Sequence, residues 1–434
     1  MQNLLILPFI SFSAITAPPL LLNIRIEFIL FALILIGVAV FNKKTFQVAI
    51  IGLSVILLIK LIFDPGFDMK RHFFGTTDFV SQVIDKHLRQ GEWAILLNLL
   101  GLLLGFSVLA RYFKESGIPG YLPKWLPDDW KGPFFLLLFI FIISSFLDNI
   151  AAAMIGGTIA MVVFNRNVHI GFIAAIVAAS NAGGSGSVLG DTTTTMMWID
   201  GVSPWNVFHA YIAAGTAFLF FAWFSSRQQD KHQRILKDPQ PGTIIRYGRL
   251  MIVFLILFGA ITTNFLFDLP AVGVWLAILT GALFYKTPWK EIRHAIKGTV
   301  FLLCLVSSAS LMPVEELPPA SWMTAFILGF VSAVFDNIPL TKLCLDQGCY
   351  DWGMLAYTVG FGGSMVWFGS SAGVAISNEF PEARNVWTWV RQGWHVILAY
   401  IIGFFILYAI MGWNPADTKQ VKTKDCPCME CPAN

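Results

Sequence analysis

Long apolar runs broken by short polar stretches set the rhythm of this chain. Runs near 26–41, 45–63 and 92–110 predict three membrane-length helices. The next two apolar segments are longer and interrupted: 134–164 at Asp148-Asn149, and 168–199 at Asn181-Ala-Gly-Gly-Ser-Gly-Ser187. A helix is expected near 204–224, then a polar stretch from Arg227 to Arg249. Helices near 250–267, 270–285 and 297–313 follow. Two more interrupted segments come next: 321–345, broken at Asp336-Asn337-Ile338-Pro339, and 353–380, broken at Gly360-Phe-Gly-Gly-Ser364. A last span near 392–412 precedes a polar tail. Met1–Leu22, interrupted by Pro18-Pro19, lacks the basic start of a signal peptide and is read as a retained helix.

Composition narrows the class. Of 434 residues, 56% are hydrophobic, 15% aromatic and 13% charged, with a formal net charge of +3. Mean hydropathy is +0.69. A soluble domain carries about 25% charged residues, so a water-soluble enzyme is excluded, and no basic stripe suggests nucleic acid. A closed β-barrel would show short alternating segments instead. The expected fold is an all-α polytopic membrane protein of about 11 transmembrane helices. Three of the six cysteines crowd into 426–431, so no disulfide framework is read from them, although that cluster resembles part of a soft-metal site.

If the two Asp-Asn segments are re-entrant hairpins, entering and leaving on one side, one set of loops holds 19 Lys and Arg and the other 8. The positive-inside rule then puts the N-terminus in the cytoplasm and the C-terminus outside.

The halves resemble one another. Ser144-Ser-Phe-Leu-Asp-Asn-Ile150 matches Ser332-Ala-Val-Phe-Asp-Asn-Ile338 at four of seven positions, 188 residues apart. Gly183-Gly-Ser185 with Gly190 matches Gly362-Gly-Ser364 with Gly369, 179 residues apart. An odd number of crossings per half makes the second copy inverted. Two inverted repeats, each with a re-entrant hairpin and a broken helix, point to a secondary transporter with its site at the repeat interface. The expected division is a hydrophobic segment 1–24, a first repeat 25–226, a cytoplasmic loop 227–249, a second repeat 250–412 and a tail 413–434.

The chemistry gathers at the breaks. A carboxylate in mid-membrane costs about 2.5–3.5 kcal/mol on insertion scales, yet Asp148 and Asp336 occupy matching places, each followed by an asparagine, Asn149 and Asn337. Each can cap the half-helix after it, but Ser or Thr would cap without burying charge. Cation and proton therefore compete for these oxygens in the expected role, with Asp148 and Asp336 as Na⁺ ligands. Asn181, Gly183, Gly184 and Ser185, and on the other side Gly362, Gly363 and Ser364, predict unwound backbone lining a site. Asp191 and Thr192 add a carboxylate and a hydroxyl where the second copy has Ser370-Ser371, making the halves chemically unequal. Lys342 is expected to snorkel to the outer surface or to pair with Asp336.

On the motifs Ser145-Phe-Leu-Asp-Asn-Ile150, Asn181-Ala-Gly-Gly-Ser185, Gly190-Asp-Thr-Thr-Thr-Thr195, Ser332-Ala-Val-Phe-Asp-Asn-Ile-Pro-Leu340 and Gly362-Gly-Ser364 with Gly369, residues 90–412 resemble the ion transporter superfamily. Within it the chain is most similar to NhaD-type Na⁺/H⁺ antiporters. The resemblance implies a scaffold part, a transport part with two hairpins, a homodimer in the inner membrane, and Asp148, Asn149, Asp336 and Asn337 at hairpin tips facing two broken helices. It departs from the pattern at Lys342 and Ser185-Gly-Ser187. The expected activity is exchange of Na⁺ or Li⁺ for H⁺ by alternating access, with the ions as substrates and no cofactor. The alternative is cation-coupled uptake of citrate or another carboxylate, since the superfamily includes such carriers. No His-Glu-x-x-His motif argues for an enzyme.

Overall fold

Apolar surroundings leave backbone N–H and C=O groups no partner but one another, so the hydrophobic runs close into helices. The computed structural model describes residues 20–21, 24–41, 44–118, 125–236 and 244–418. The protein is an all-α polytopic membrane protein, with one two-residue antiparallel pairing of Leu20–Leu21 with Ile24–Arg25 before the first helix. The helices are α1 (Ile26–Val40), α2 (Thr45–Phe63), α3 (Met69–Phe74), α4 (Phe79–Ile84), α5 (Trp93–Glu115), α6 (Lys131–Ser144) and α7 (Asn149–Val163). Then come α8 (Ile170–Ser185), α9 (Thr192–Ile199), α10 (Pro204–Phe208), α11 (Ala210–His232), α12 (Tyr247–Phe267), α13 (Pro270–Phe284) and α14 (Lys290–Ser310). The chain continues through α15 (Trp322–Ser332), α16 (Asn337–Gln347), α17 (Trp352–Gly362), α18 (Ser371–Glu379), α19 (Val386–Gln392) and α20 (Trp394–Met411).

Among the described residues, α2, α5, the α10–α11 pair, α12, α14 and α20 are long and apolar enough to cross a membrane unaided. Shorter apolar helices fill the space between them, as a broken segment requires. Helices α5, α12, α13 and α14 pack together, with α2 against α14 and α1 against α2. The remaining long elements, α6–α8, α11, α15, α17 and α20, pack around α8 and α17. A smaller core joins Phe31 and Ile34 of α1, Ala49 and Ile56 of α2, and Leu305 and Ala309 of α14 to Leu343 of α16.

Several boundaries differ from the sequence reading. The 65–90 segment, expected as a plain loop, carries α3 and α4, capped by Asp68 and Asp78. The buried amide of Gln82 ties it together, donating to the carbonyls of Phe74 (2.7 Å) and Thr77 (2.8 Å) and accepting from Gln90 N and Trp93 Nε1, both at 2.9 Å. Helix α11 runs to His232, into the stretch expected to be loop, because Gln, Lys and Arg favour helix even beyond the apolar run. The Met1–Leu22 segment, Leu20 and Leu21 apart, and the 426–431 cysteine cluster lie outside the described residues. Cys304 and Cys344 are free thiols, and Cys349 is disulfide-bonded.

Candidate functional site

Each interrupted segment breaks where the sequence offers an oxygen cap. Asp148 ends the α6–α7 turn and accepts from Ile150 N at 3.2 Å; Asp336 ends the α15–α16 turn and accepts from Ile338 N at 3.0 Å. The carboxylates thus satisfy half-helix N–H groups left unpaired by the break. Their other oxygens face the broken helices. Thr192 Oγ1 donates to Asp148 at 3.4 Å, and Ser371 Oγ donates to Asp336 at 3.1 Å. The hairpins are held in the same way: Ser144 Oγ donates to Ser180 O at 2.5 Å, and Ser332 Oγ to Val359 O at 2.6 Å. All four pairings fall at the 188- and 179-residue spacings.

The glycines do not unwind the chain where expected. Helix α8 continues through Gly183, Gly184 and Ser185, and α17 through Gly362, so the breaks span 186–191 and 363–370. A Cβ on Gly183 would strike the Phe141 carbonyl oxygen of α6, and one on Gly362 the Gly329 carbonyl oxygen of α15. These glycines let backbone meet backbone, and Gly184 and Gly363 sit equally close to the carbonyls of Gly190 and Gly369. Ser185 Oγ bonds only locally, to Ala182 O at 2.8 Å.

Beyond this shared frame the halves part. Asp191 caps α9 and is also held by the Thr193 hydroxyl at 2.8 Å. Asn149 Nδ2 donates both to Asn181 Oδ1 (3.0 Å) and to Asp191 Oδ1 (3.2 Å). Asn181 Nδ2 then crosses to the other half, donating to Ser364 Oγ (2.9 Å) and Ser370 Oγ (3.1 Å). Asn149, Asn181, Asp191, Ser364 and Ser370 thereby form one buried network, with Gly360 open toward Asp191: a Cβ there would lie 3.2 Å from its Oδ2. In the second half Gly360 and Ser370 stand where Asn181 and Asp191 stand in the first. Asn337 Nδ2, the counterpart of Asn149 Nδ2, is buried without a hydrogen-bond partner.

Asp191 lies within electrostatic reach of both Asp148 and Asp336, and among the described residues no Lys or Arg compensates any of the three. Asp191 is buried and Asp148 and Asp336 are half-buried. Withdrawing uncompensated carboxylates from water is costly, so the arrangement is suited to taking up a cation or protons. Among the described residues there is no cluster of three His, Cys, Asp or Glu side chains fit for a resident metal. The side-chain oxygens here are mixed, carboxylate, amide and hydroxyl, a donor set that suits a hard ion.

Lys342 does neither of the things expected of it. It is wholly buried, and its Nζ lies 2.9 Å from Glu92 and 2.6 Å from Asp346. The sequence reading missed both partners. Asp346 was within view, one turn along the same helix. Glu92 stands immediately before a span, where a charge reads as a membrane boundary.

No protein-family model matches the chain. It is similar to sodium/proton antiporter 1 of Arabidopsis thaliana, 28% identical over 54% of this chain. That match spans about half, 48%, of the relative's own length. Sodium/proton antiporter 2 of the same plant is 28% identical over 62% of this chain and 74% of the relative. The Na⁺/H⁺ antiporter NhaD of Vibrio cholerae is 26% identical over 76% of this chain and 81% of that protein.

Proposed function

We propose that this chain, a relative of the NhaD-type Na⁺/H⁺ antiporters, exchanges Na⁺ or Li⁺ for H⁺ across a membrane. The observation that carries the reading is the set of three carboxylates, Asp148, Asp191 and Asp336, at the breaks between apolar helices with no cationic partner beside them among the described residues. A proton or a hydrated-radius cation shed of its water can each neutralise such a group, so the two species compete for the same oxygens. That competition, joined to a site that opens to one side at a time, is exchange. Asp148 and Asp336 hold the cation from the two tips. Asp191 with Thr192 adds oxygens from one broken helix, and Ser364 and Ser370 from the other. Asn149 and Asn181 position them, and Asn337 lies ready on the second tip.

The matched bonds of the two hairpins support an internal repeat. The same reading takes the repeats as inverted, 25–226 and 250–412, within about 11 spans, with 227–249 in the cytoplasm and the C-terminus outside on the distribution of Lys and Arg. An inner-membrane homodimer is part of the same reading. The relatives' names favour antiport over carboxylate uptake, and acidic tips repel an anionic substrate.

Reconstituted vesicles with a preset pH gradient test this. Addition of Na⁺ or Li⁺ alone should dissipate the gradient, and Asp148→Asn or Asp336→Asn should reduce the flux to the level of empty vesicles. Flux that appears only on adding citrate would transfer the site to a carboxylate carrier.

A further inference from the structure

Two cavities flank the candidate site at opposite ends of α5, a span about 35 Å long at 1.5 Å per residue. The one at its C-terminal end, 190 Å³, is lined by Ser107 and Arg111 of α5, Ala151, Met154 and Thr158 of α7, and Glu291 of α14. It reaches to within three residues of Asp148. The one at its N-terminal end is larger, 750 Å³, open on one side and lined by residues of the 64–91 segment, with Glu92, Ile199 and Asp200 on the side that we take as its floor. Behind that floor sits the Lys342 ammonium, held by Glu92 at 2.9 Å and Asp346 at 2.6 Å. Asp200 also acts on it electrostatically.

The elements meeting there are the ones that leave the candidate site. Helix α16 starts at Asp336 and brings Lys342 about 9 Å along its axis. Helix α9 starts at Asp191 and ends at Asp200. Both pack against the group containing α5 and α14. A single buried ammonium therefore ties α16 to the residue that caps α5, with the carboxylate that ends α9 acting on it electrostatically, beside two residues that line the large cavity, Glu92 and Asp200.

We propose that the Lys342–Glu92–Asp346 cluster is a gate: closed, as here, it separates the 750 Å³ cavity from the candidate site, and exchange requires it to part. The inference rests on the transport reading above. Removing the ammonium leaves two buried carboxylates that repel and draw in water, which favours the parted state. Removing Glu92's charge frees α16 from α5 in the same sense.

Met196, one turn deeper along α9 than Asp200 and fully buried, provides a reporter. In right-side-out and inside-out vesicles carrying Met196→Cys, a membrane-impermeant maleimide is applied and modification at that position is read by mass spectrometry. Labelling should be slow with the native cluster and come from one face only, the face bearing the 65–90 loop. Lys342→Gln should raise the rate at least about tenfold, a modest shift of a two-state balance. Glu92→Gln should do the same, and Lys342→Arg should stay near the native rate. If Lys342→Gln does not fold, Glu92→Gln alone decides. Unchanged labelling in a protein that still exchanges Na⁺ for H⁺ overturns the gate. Absence of exchange by the native protein overturns the transport reading instead, whatever the labelling.

Discussion

The first and second halves share a frame and differ in chemistry. Both hairpin turns end in an aspartate that caps the next half-helix, and both accept a hydroxyl from the facing broken helix, Thr192 in one and Ser371 in the other. Both hairpins are tied by a serine hydroxyl to a broken-helix carbonyl. The polar load, however, sits in the first half. Asn181 and Asp191 have as counterparts Gly360 and Ser370, so Asn149 Nδ2 is doubly bonded and Asn337 Nδ2 is left without a partner among the described residues. The hydrogen-bond frame is alike in both halves, while two of the three carboxylates, Asp148 and Asp191, lie in the first.

The largest expected effect breaks the asymmetry at its centre. Asp191→Asn removes the third carboxylate while keeping size and a cap-capable oxygen. Hydrogen bonds and contacts to charged groups are worth about 1.5–3 kcal/mol, so cation-driven exchange in vesicles should fall about 100-fold. Ser370→Ala, at the matching place, loses a neutral hydroxyl and should retain exchange within a few-fold. Equal losses in the two variants would show that the halves contribute alike.

Next comes the link between the halves. Asn181→Ala deletes three side-chain bonds, one from Asn149 and one each to Ser364 and Ser370. At about 1 kcal/mol each, the loss of about 3 kcal/mol should lower the thermal unfolding midpoint in detergent by several degrees. Gly360→Ala, its counterpart, meets Asp191 Oδ2 at 3.2 Å and Ser185 Cβ at an ordinary 3.7 Å and should shift the midpoint far less. A Gly360→Ala protein as unstable as Asn181→Ala would mean that the crossing point is limited by space and not by bonding.

How much of this the sequence disclosed depends on the range of the interaction. The breaks at Asp148 and Asp336 were legible because a cap is a local event, decided within three residues, whereas those capped by Asp191 and Ser370 were expected earlier, at 181–187 and 360–364. The hydroxyl that each tip carboxylate accepts, from Thr192 in one half and Ser371 in the other, was not predicted, although the two bonds fall at the spacings of the repeat. Asn181 reaching Ser364 and Ser370, and Lys342 reaching Glu92 across 250 residues, were not legible. Nothing local distinguishes a lysine bound for the surface from one bound for a distant glutamate. The glycines were half-read: their clustering marked the right places, but it serves close helix contact at Gly183 and Gly362, and the unwinding begins just after.

That contact supplies a symmetric control. A methyl group on Gly183 would meet the Phe141 carbonyl oxygen, and one on Gly362 that of Gly329. Both obstacles are backbone and cannot swing aside. Gly183→Ala and Gly362→Ala should each cost about 1–3 kcal/mol, the usual range for overpacking, and by similar amounts. A large difference in their unfolding midpoints would show that the shared frame is less alike than its hydrogen bonds.

The smallest effect concerns the two tip asparagines. Asn149→Leu leaves Asn181 Oδ1 and one Asp191 contact without their donor, so buried acceptors lose bonds and stability should drop by about 1–3 kcal/mol. Asn337→Leu removes an amide nitrogen that already lacks a partner, and replacing an unpaired buried donor by an apolar group of similar size is close to neutral. The unfolding midpoint of Asn337→Leu should therefore lie within about a degree or two of the native protein, consistent with a change below ~0.5 kcal/mol, while Asn149→Leu falls clearly lower. If both lose the same stability, the Asn337 amide has found an acceptor in the native protein, an ordered water being the simplest, and the second half is more nearly a copy of the first in its chemistry as well as its frame.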